Sequence, residues 1–99
     1  MTYTLAMDFE WDEAKSEACF RERGFDFAYA LRAFLDRDRL VQQDVRRSYG
    51  EDRYQVTGKI EGRLFVLVYT PRQGAIRIVS ARKANQREVK QYENRTRDD

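Results

Sequence analysis

The sequence predicts an α+β fold: a small antiparallel β-meander packed on two N-terminal helices, with a C-terminal helix. Apolar residues recur at helical spacing before residue 36 and alternate with a period of two between residues 40 and 83. A capping box then follows, with Asn85 as the helix cap and Glu88 three residues later. Ninety-nine residues suffice for a single core, so we expect one domain over 1–99, with a frayed tail from about residue 94.

Two helices are predicted in the N-terminal third. The first, "WDEAKSEACFRERG", has Asp12 as its N-cap and Gly24 as its left-handed stop, with a thin apolar stripe of Trp11, Ala14 and Ala18. The second, "DFAYALRAFLD", can be capped by Asp26, and its apolar residues follow the i, i+3, i+4, i+7, i+8 pattern of one buried face. That face consists of Phe27, Ala30, Leu31, Phe34 and Leu35. We expect the two helices to cover one face of the sheet.

The segments after residue 40 alternate as strands do. "LVQQDV" predicts a short strand, and "RYQVTGKI" predicts a longer strand with one polar side. That polar side consists of Arg53, Gln55, Thr57 and Lys59, opposite Tyr54, Val56 and Ile60. Glu61-Gly62 predicts a tight hairpin turn, and "RLFVLVYT" is apolar on both sides, as a central strand should be. "PRQG" predicts a second turn starting at Pro71, and "AIRIVSA" the last strand.

Positively charged residues gather where the last strand meets the last helix. Strict alternation sends Ile76 and Ile78 one way and Arg77 the other, while Arg82 and Lys83 lie near the helix start. A helix N-terminus carries partial positive charge and free N–H groups, so these cations predict a phosphate site. The alternative is that the cations pair with acidic neighbours, namely Glu51, Asp52 and Glu88, or only solvate the surface.

The composition excludes several classes of site. The chain has no His and a single Cys, Cys19, which excludes a Ser-His or Cys-His nucleophile and a zinc site. Fifteen of the nineteen basic residues are Arg, which suits RNA or an acidic protein partner, although a GC-rich genome also enriches Arg. A lone Cys fits a reducing compartment, and the longest apolar run, "LFVLVY", is too short to span a membrane. We expect a cytoplasmic protein with no cofactor and no membrane contact.

Four segments together resemble a known family. "FEWDEAK", "YGEDRY", "GRLFVLVYT" and "RIVSARKANQRE…YE" are similar, in order and spacing, to the BrnT toxins of type II toxin-antitoxin systems, from about Phe9 to Tyr92. The resemblance implies a RelE-like fold and a ribonuclease that cleaves RNA and inhibits translation. It also implies a BrnA-like antitoxin that neutralises the toxin, carries the DNA-binding part and represses the operon together with it. The complex would be a hetero-oligomer, possibly 2:2, that contacts operator DNA only through the antitoxin.

Two positions depart from the family pattern. Cys19 stands where Asn is usual, and Arg23, in "RERG", stands where His is usual. If that His takes part in chemistry, this chain is a weaker enzyme or uses another group. We favour a structural role for the position because it adjoins the helix-ending Gly24.

RNA cleavage without a metal needs a base for the 2′-hydroxyl, cations for the phosphorane and an acid for the leaving oxygen. The candidate cations are Arg53, Arg77, Arg82 and Lys83. Glu51 and Glu88 are candidate bases, and Tyr92 and Tyr49 are candidate proton donors. RNA-binding contacts are expected from Tyr49, by stacking on a base, and from Lys59 and Arg87. Each of these residues also has an ordinary structural role open to it, such as a helix cap for Glu88.

The sequence is also consistent with two functions other than RNA cleavage. The same aromatic and basic residues would suit an RNA-binding module that does not cleave. An open sheet edge with a basic face would also suit an interaction protein that grips an acidic or amphipathic antitoxin segment. Cleavage of labelled RNA, binding without cleavage, and binding to the antitoxin alone distinguish the three.

Overall fold

The computed structural model describes residues 8–45 and 50–97 and confirms an α+β fold. Its strands are β1 Asp8–Trp11, β2 Leu40–Gln43, β3 Tyr54–Ile60, β4 Arg63–Arg72 and β5 Ala75–Lys83. Its α-helices are α1 Glu13–Arg23, α2 Phe27–Ala30 and α3 Gln86–Arg97, and a 3₁₀ turn, Leu31–Leu35, follows α2. Tyr49 lies outside the described residues.

The sheet has five strands in the order β1-β5-β4-β3-β2. The predicted antiparallel meander is confirmed for β2 to β5. A purely antiparallel sheet was the wrong expectation, because β1 joins the open edge of β5 in parallel, with Phe9 opposite Ile76 and Trp11 opposite Ile78. The sheet is therefore mixed, and its two ends are the edge strands β1 and β2.

The cap residues of α1 are the predicted ones. Asp12 accepts a hydrogen bond from the Ala14 N–H at 2.9 Å, and Gly24 ends the helix at a φ of 87°. The predicted apolar stripe of α1 is wrong, because Trp11 belongs to β1 and Ala14 is exposed. The helix instead buries Ser16 and Cys19, since the Ser16 hydroxyl accepts the Phe27 N–H at 3.0 Å and so joins α1 to α2.

The predicted second helix is divided. Asp26 caps it as expected, accepting from the Tyr29 N–H at 2.9 Å, but the α-helical part ends at Ala30 and continues as the 3₁₀ turn. Tighter winding rotates the side chains that follow. Ala33 is consequently fully buried, whereas Leu35, assigned to the buried face by the helical period, is 79% exposed.

The core face of the sheet is the face that packs on α1, α2 and the 3₁₀ turn. It contributes Val56, Leu67, Ile78 and Ala81 to one apolar cluster with Phe27. The approach is closest at Gly58, where an added Cβ would lie 2.2 Å from the Ala33 carbonyl oxygen. A glycine at this position lets the backbone of the 3₁₀ turn rest directly on β3.

The opposite face of the sheet, called the second face, is partly covered by the last helix. Thr57 lies on this face and is only 6% exposed, and Val66 beside it is also buried. Tyr92 of α3 is buried, and the Lys59 ammonium lies 5.6 Å from its ring centroid. The C-terminal helix therefore covers one end of the second face and leaves the other end accessible.

Both hairpins have two-residue turns. The tight turn predicted at Glu61-Gly62 is confirmed, and the φ values of 50° and 84° are the left-handed conformations of a type I′ turn. The second turn is at Gln73-Gly74, so the prediction that it starts at Pro71 is wrong by two residues. Pro71 is accommodated inside β4 because β3 begins at Tyr54, opposite Tyr69. No residue of β3 therefore lies beside position 71 to accept the hydrogen bond that proline cannot donate.

Candidate active site

A β-bulge decides which basic side chains share a face. Val68 is opposite Ser80 and Tyr69 is opposite Ile78, so Val79 is an extra residue in β5. The extra residue reverses the alternation after position 79. Arg82, opposite Val66, consequently lies on the second face, as Arg77 does.

The three cations that the sequence placed together are separated, Lys83 by the bulge and Arg77 from Arg82 by distance along the strand. Lys83 is opposite Phe65, a core-face residue, so it projects to the other side of the sheet from Arg82. Arg77 and Arg82 are opposite Thr70 and Val66, four residues apart on β4. Four residues of strand span roughly 13 Å, so these two guanidinium groups belong to different ends of the second face.

Two arginines contact Glu51 at the hairpin end of the second face, and Arg77 of the neighbouring strand lies on the same face. Glu51 accepts from Arg53 Nε at 3.2 Å and from Arg72 Nη2 at 3.4 Å. Thr70 is buried beside them, directly opposite Arg77 on the neighbouring strand, and its hydroxyl donates to the Asp52 carbonyl at 2.7 Å. We call Glu51, Arg53, Arg72 and Arg77 the Glu51 cluster.

The charged groups of the Glu51 cluster are partly accessible. The side chains of Glu51 and Arg72 are 32% and 48% exposed, and Arg77 pairs at 3.4 Å with Glu10 of β1. Ion pairs this open to solvent contribute little to stability, about 0–1 kcal/mol each. A phosphate can therefore compete for these guanidinium groups at small cost, and the carboxylate of Glu51 stays beside it.

Arg82 is engaged differently, at the start of α3. Its two terminal nitrogens donate to the two carboxylate oxygens of Glu88, each at 2.8 Å. Glu88 also accepts the Asn85 N–H at 2.9 Å, and Asn85 accepts the Glu88 N–H at 2.8 Å, which completes the predicted capping box. This bidentate pair ties α3 to β5, so the expectation of an acidic neighbour for Arg82 is confirmed.

Tyr92 fastens the middle of α3 to the loop before β2. Its hydroxyl donates to Asp36 Oδ2 at 2.6 Å. Burial raises the pKa of Tyr92, and the Asp36 carboxylate raises it further. Burial alone would raise the pKa of Asp36, but hydrogen bonds from Tyr92 and from the backbone N–H groups of Asp38 and Lys59 lower it below the ordinary value. The contact keeps the Tyr92 proton on the phenol.

The remaining predicted residues are scattered. The Lys59 ammonium lies over the Tyr92 ring, and Arg87 is exposed on the first turn of α3. The structure thus brings Glu51, Arg53 and Arg77 to one end of the second face. It places Arg82, Glu88, Tyr92, Lys59 and Arg87 at the end covered by α3.

Sequence reasoning missed Arg72. With the turn placed at Pro71, this residue had no strand position and no face. A two-residue turn at Gln73-Gly74 would have put Arg72 on the same side as Thr70, since the two are separated by two residues of β4. The turn position was the signal that would have identified it.

The departures from the family pattern occupy two environments. Cys19 is 3% exposed, and its thiol lies 3.6 Å from the Ala81 carbonyl, so it is a core residue. Burial raises the pKa of the Cys19 thiol, and the nearby Arg23 guanidinium opposes that rise. Arg23 itself is exposed in the last turn of α1.

The described residues contain neither a cluster of metal-binding side chains nor a membrane-spanning helix. Across 8–45 and 50–97, no group of three or more His, Cys, Asp and Glu side chains is arranged to bind a metal ion. Within the same ranges, no helix has both the length and the apolar character needed to cross a membrane.

Comparison with known proteins identifies the family. The family model described as ribonuclease toxin, BrnT, of type II toxin-antitoxin system matches residues 11–88, which are 78 of the 99 residues. No curated protein matches the sequence. The matched range begins at the last residue of β1 and contains β2 to β5, the Glu51 cluster and the start of α3. The chain therefore belongs to the BrnT family of ribonuclease toxins of type II toxin-antitoxin systems, a membership that implies an antitoxin partner.

Proposed function

We propose that the chain is a metal-independent endoribonuclease whose reaction centre is the Glu51 cluster. One observation carries this assignment. The Glu51 carboxylate is held between Arg53 and Arg72, at 3.2 and 3.4 Å, on an accessible part of the second face. A carboxylate beside several guanidinium groups unites a proton acceptor with the cations that a phosphorane requires.

The proposed reaction uses the nucleophile that RNA provides. Glu51 takes the proton of the 2′-hydroxyl, the 2′-oxygen forms a bond to the adjacent phosphorus, and the bond to the 5′-oxygen breaks. The products are a 2′,3′-cyclic phosphate and a 5′-hydroxyl that leaves with a proton from water. Arg53, Arg72 and Arg77 stabilise the charge on the phosphorane oxygens.

The arginines suit this role because of their geometry. A guanidinium group is planar, remains charged at every physiological pH and matches two phosphate oxygens at once. The partners that Arg72 and Arg77 have in the free protein, Glu51 and Glu10, are exposed carboxylates. Substrate phosphate replaces such contacts without leaving a buried charge unpaired.

The test is cleavage of a 5′-labelled RNA by the purified chain, with and without a chelator. We expect cleavage in both conditions, a cyclic phosphate end, and no reaction at a 2′-deoxy linkage. Glu51→Gln should lower the rate by about 10²- to 10⁴-fold and Arg53→Ala by about 10²- to 10³-fold. Arg37→Ala, which removes an exposed arginine of the loop before β2, is the matched control and should cleave as the native chain does.

Two further variants locate the centre. Arg77→Ala should lose cleavage while keeping the native melting temperature, whereas Arg82→Ala should mainly lower the melting temperature. The reverse result would move the chemistry to the α3 end of the second face. Growth arrest on induced expression, with fragmented RNA, would accompany an active enzyme; normal growth and intact RNA despite soluble, folded protein would refute it.

The same proposal includes the antitoxin and the cell. We propose that a BrnA-like antitoxin binds this chain in the cytoplasm, blocks translation inhibition and represses the operon with it. The strand β2 supports an interaction role, because among the described residues it is an edge of the sheet and Val41 is 46% exposed. Val41→Asp should weaken capture of the antitoxin and leave RNA cleavage unchanged. A gel shift of operator DNA by the complex but not by the toxin alone would support co-repression.

A further inference from the structure

A cavity lies on the other side of the molecule from the Glu51 cluster. It is open to solvent and bordered by the end of α1, the α1–α2 connection and the β3–β4 hairpin, and its volume is about 410 Å³. Binding sites for small organic groups typically measure about 300–1,000 Å³. No residue of the Glu51 cluster lines this cavity, so the reaction proposed above does not use it.

Phe20 is the unusual side chain of this cavity. Its side chain is 58% exposed, and it is the one exposed aromatic residue within 8–45 and 50–97. Helix α1 buries Ser16 and Cys19, so the ring of Phe20 has no place in the core. Burying a phenyl ring usually stabilises a fold, and this position gives up much of that gain. An aromatic face is left available at the mouth of the cavity.

The other aromatic rings of the cavity already have partners. Phe25 packs edge-on against Phe65, with ring centroids 4.9 Å apart. Tyr29 donates its hydroxyl to Glu61 at 2.8 Å, and the Arg32 guanidinium lies 5.1 Å from its ring centroid. These contacts make the wall rigid and leave Phe20 as the ring that can accept a planar ligand.

The charges around the ring are unevenly balanced. Lys83 and Arg63 line the cavity, and neither forms an ion pair within the part of the chain that the structure describes. The two acidic lining residues, Asp26 and Glu61, accept hydrogen bonds from the Tyr29 N–H and the Tyr29 hydroxyl. With Arg23, the lining has three cations and these two carboxylates, so it carries a net positive charge of one.

We propose that this cavity binds one unstacked nucleotide of the RNA substrate. The base stacks on Phe20, and Lys83 and Arg63 contact the neighbouring phosphate. Single-stranded RNA is recognised in this way, with bases splayed onto aromatic rings and backbone held by cations. The inference rests on the proposed ribonuclease function, because it assigns a second contact to the same substrate.

The position of the cavity gives it a recognition role. Lys83 follows Arg77 by six residues on β5, which corresponds to roughly 20 Å, and the bulge turns the two side chains to opposite faces. A nucleotide bound beside Lys83 is thus several positions along the strand from the cleaved bond. Loss of the contact should raise KM more than it lowers kcat.

The experiment measures binding of a 2′-O-methyl RNA oligonucleotide, which cannot be cleaved, by fluorescence anisotropy. Phe20→Ala should weaken binding about 5- to 100-fold, the usual range for one stacked base. Lys83→Ala should weaken binding and reduce the slope of log K against log salt by about 0.7. Leu35→Ala and Arg37→Ala, which remove an exposed apolar residue and an exposed cation elsewhere, are the matched controls and should bind as the native chain does.

A replacement that keeps an aromatic face separates stacking from folding. Phe20→Trp should retain affinity, and RNA should quench its fluorescence more than it quenches that of the native chain. Native affinity in Phe20→Ala would overturn the proposal, while loss of cleavage in Glu51→Gln would leave the ribonuclease function standing. If the native chain binds no RNA, both proposals fail. If Phe20→Ala weakens capture of the antitoxin and leaves RNA binding intact, the cavity is a protein-docking site and the proposal is wrong.

Discussion

Gly58→Ala tests how closely the 3₁₀ turn rests on the sheet. The added Cβ would lie 2.2 Å from the Ala33 carbonyl oxygen and 2.9 Å from its carbonyl carbon, whereas ordinary contact begins near 3.4 Å. One of the two backbones must therefore move by about 1.2 Å, the difference between 3.4 and 2.2 Å. No rotamer change relieves the contact, because main-chain atoms stand on both sides.

The expected size of the effect follows from two opposing terms. Overpacking costs about 1–3 kcal/mol and occasionally more, and a clash between main-chain atoms belongs at the upper end. Alanine also restricts the unfolded chain, which stabilises by about 0.4–1 kcal/mol. The free energy of unfolding should fall by about 2–3 kcal/mol. For a domain of this size, that lowers the melting temperature by about 10–20 °C.

Thermal unfolding followed by circular dichroism measures this change. Ser80→Ala, at an exposed position of β5, is the control and should stay within about 0.5 kcal/mol of the native chain. The two terms differ in sign, so the outcome is decisive. A melting temperature of Gly58→Ala equal to or above that of the native chain would refute the close approach of Ala33 to β3.

The anchors of α3 and the exposed end of the 3₁₀ turn give four further predictions. Tyr92→Phe removes a 2.6 Å hydrogen bond to a carboxylate and should cost about 1.5–3 kcal/mol, measured by urea unfolding. Glu88→Gln weakens the bidentate contact with Arg82 and should cost about 1–2 kcal/mol, with most of the loss recovered when Arg82 is already alanine in a double-mutant cycle. Leu35→Ser should change the free energy of unfolding by less than about 0.5 kcal/mol, since the side chain is 79% exposed. A loss above about 2 kcal/mol would instead indicate that Leu35 is buried, as a regular helix would place it. The lowered pKa of Asp36 contributes stability that is complete above the ordinary carboxyl pKa of about 4 and is lost as the pH falls through the pKa of the folded state. Between about pH 5 and 2, the free energy of unfolding should therefore fall more steeply for the native chain than for Asp36→Asn. Parallel curves for the two proteins would contradict this.

Local patterns predicted the elements whose causes are local. The caps Asp12 and Asp26, the type I′ turn at Glu61 and the capping box at Glu88 each depend on a few neighbouring residues, and the structure contains all of them. The meander from β2 to β5 follows from alternation and turn residues in the same way.

Non-local causes account for what the sequence could not predict. Strand β1 has four residues and no turn signal, and it exists because β5 offers a free edge far along the chain. Leu35 is exposed because the chain winds as a 3₁₀ turn at this point, where Ala33 packs closely against Gly58 of β3. In both cases the deciding partner is distant in sequence, so no window of neighbouring residues contains the information.

The residue types of the candidate site could be predicted from the sequence, but their grouping in space could not. Residue types alone identified Glu51, Arg53 and Arg77 as candidates for phosphate chemistry. Their separation from Arg82 is a matter of distance, four residues along β4, whereas the separation of Arg77 from Lys83 depends on the extra residue Val79, because strict alternation would have placed these two on the same face. One inserted residue thus changes which cations can act on one phosphate.

The parallel pairing of β1 with β5 has a consequence for synthesis of the chain. Asp8 is opposite Ala75, so the first strand waits for 67 more residues before its partner exists. Ribosomes add about 5–20 residues per second, so β1 waits about 3–13 s before the first residue of its partner strand is made. Strand β1 must therefore remain unpaired throughout that interval, although the hairpin of β3 and β4 can form before β5 is made.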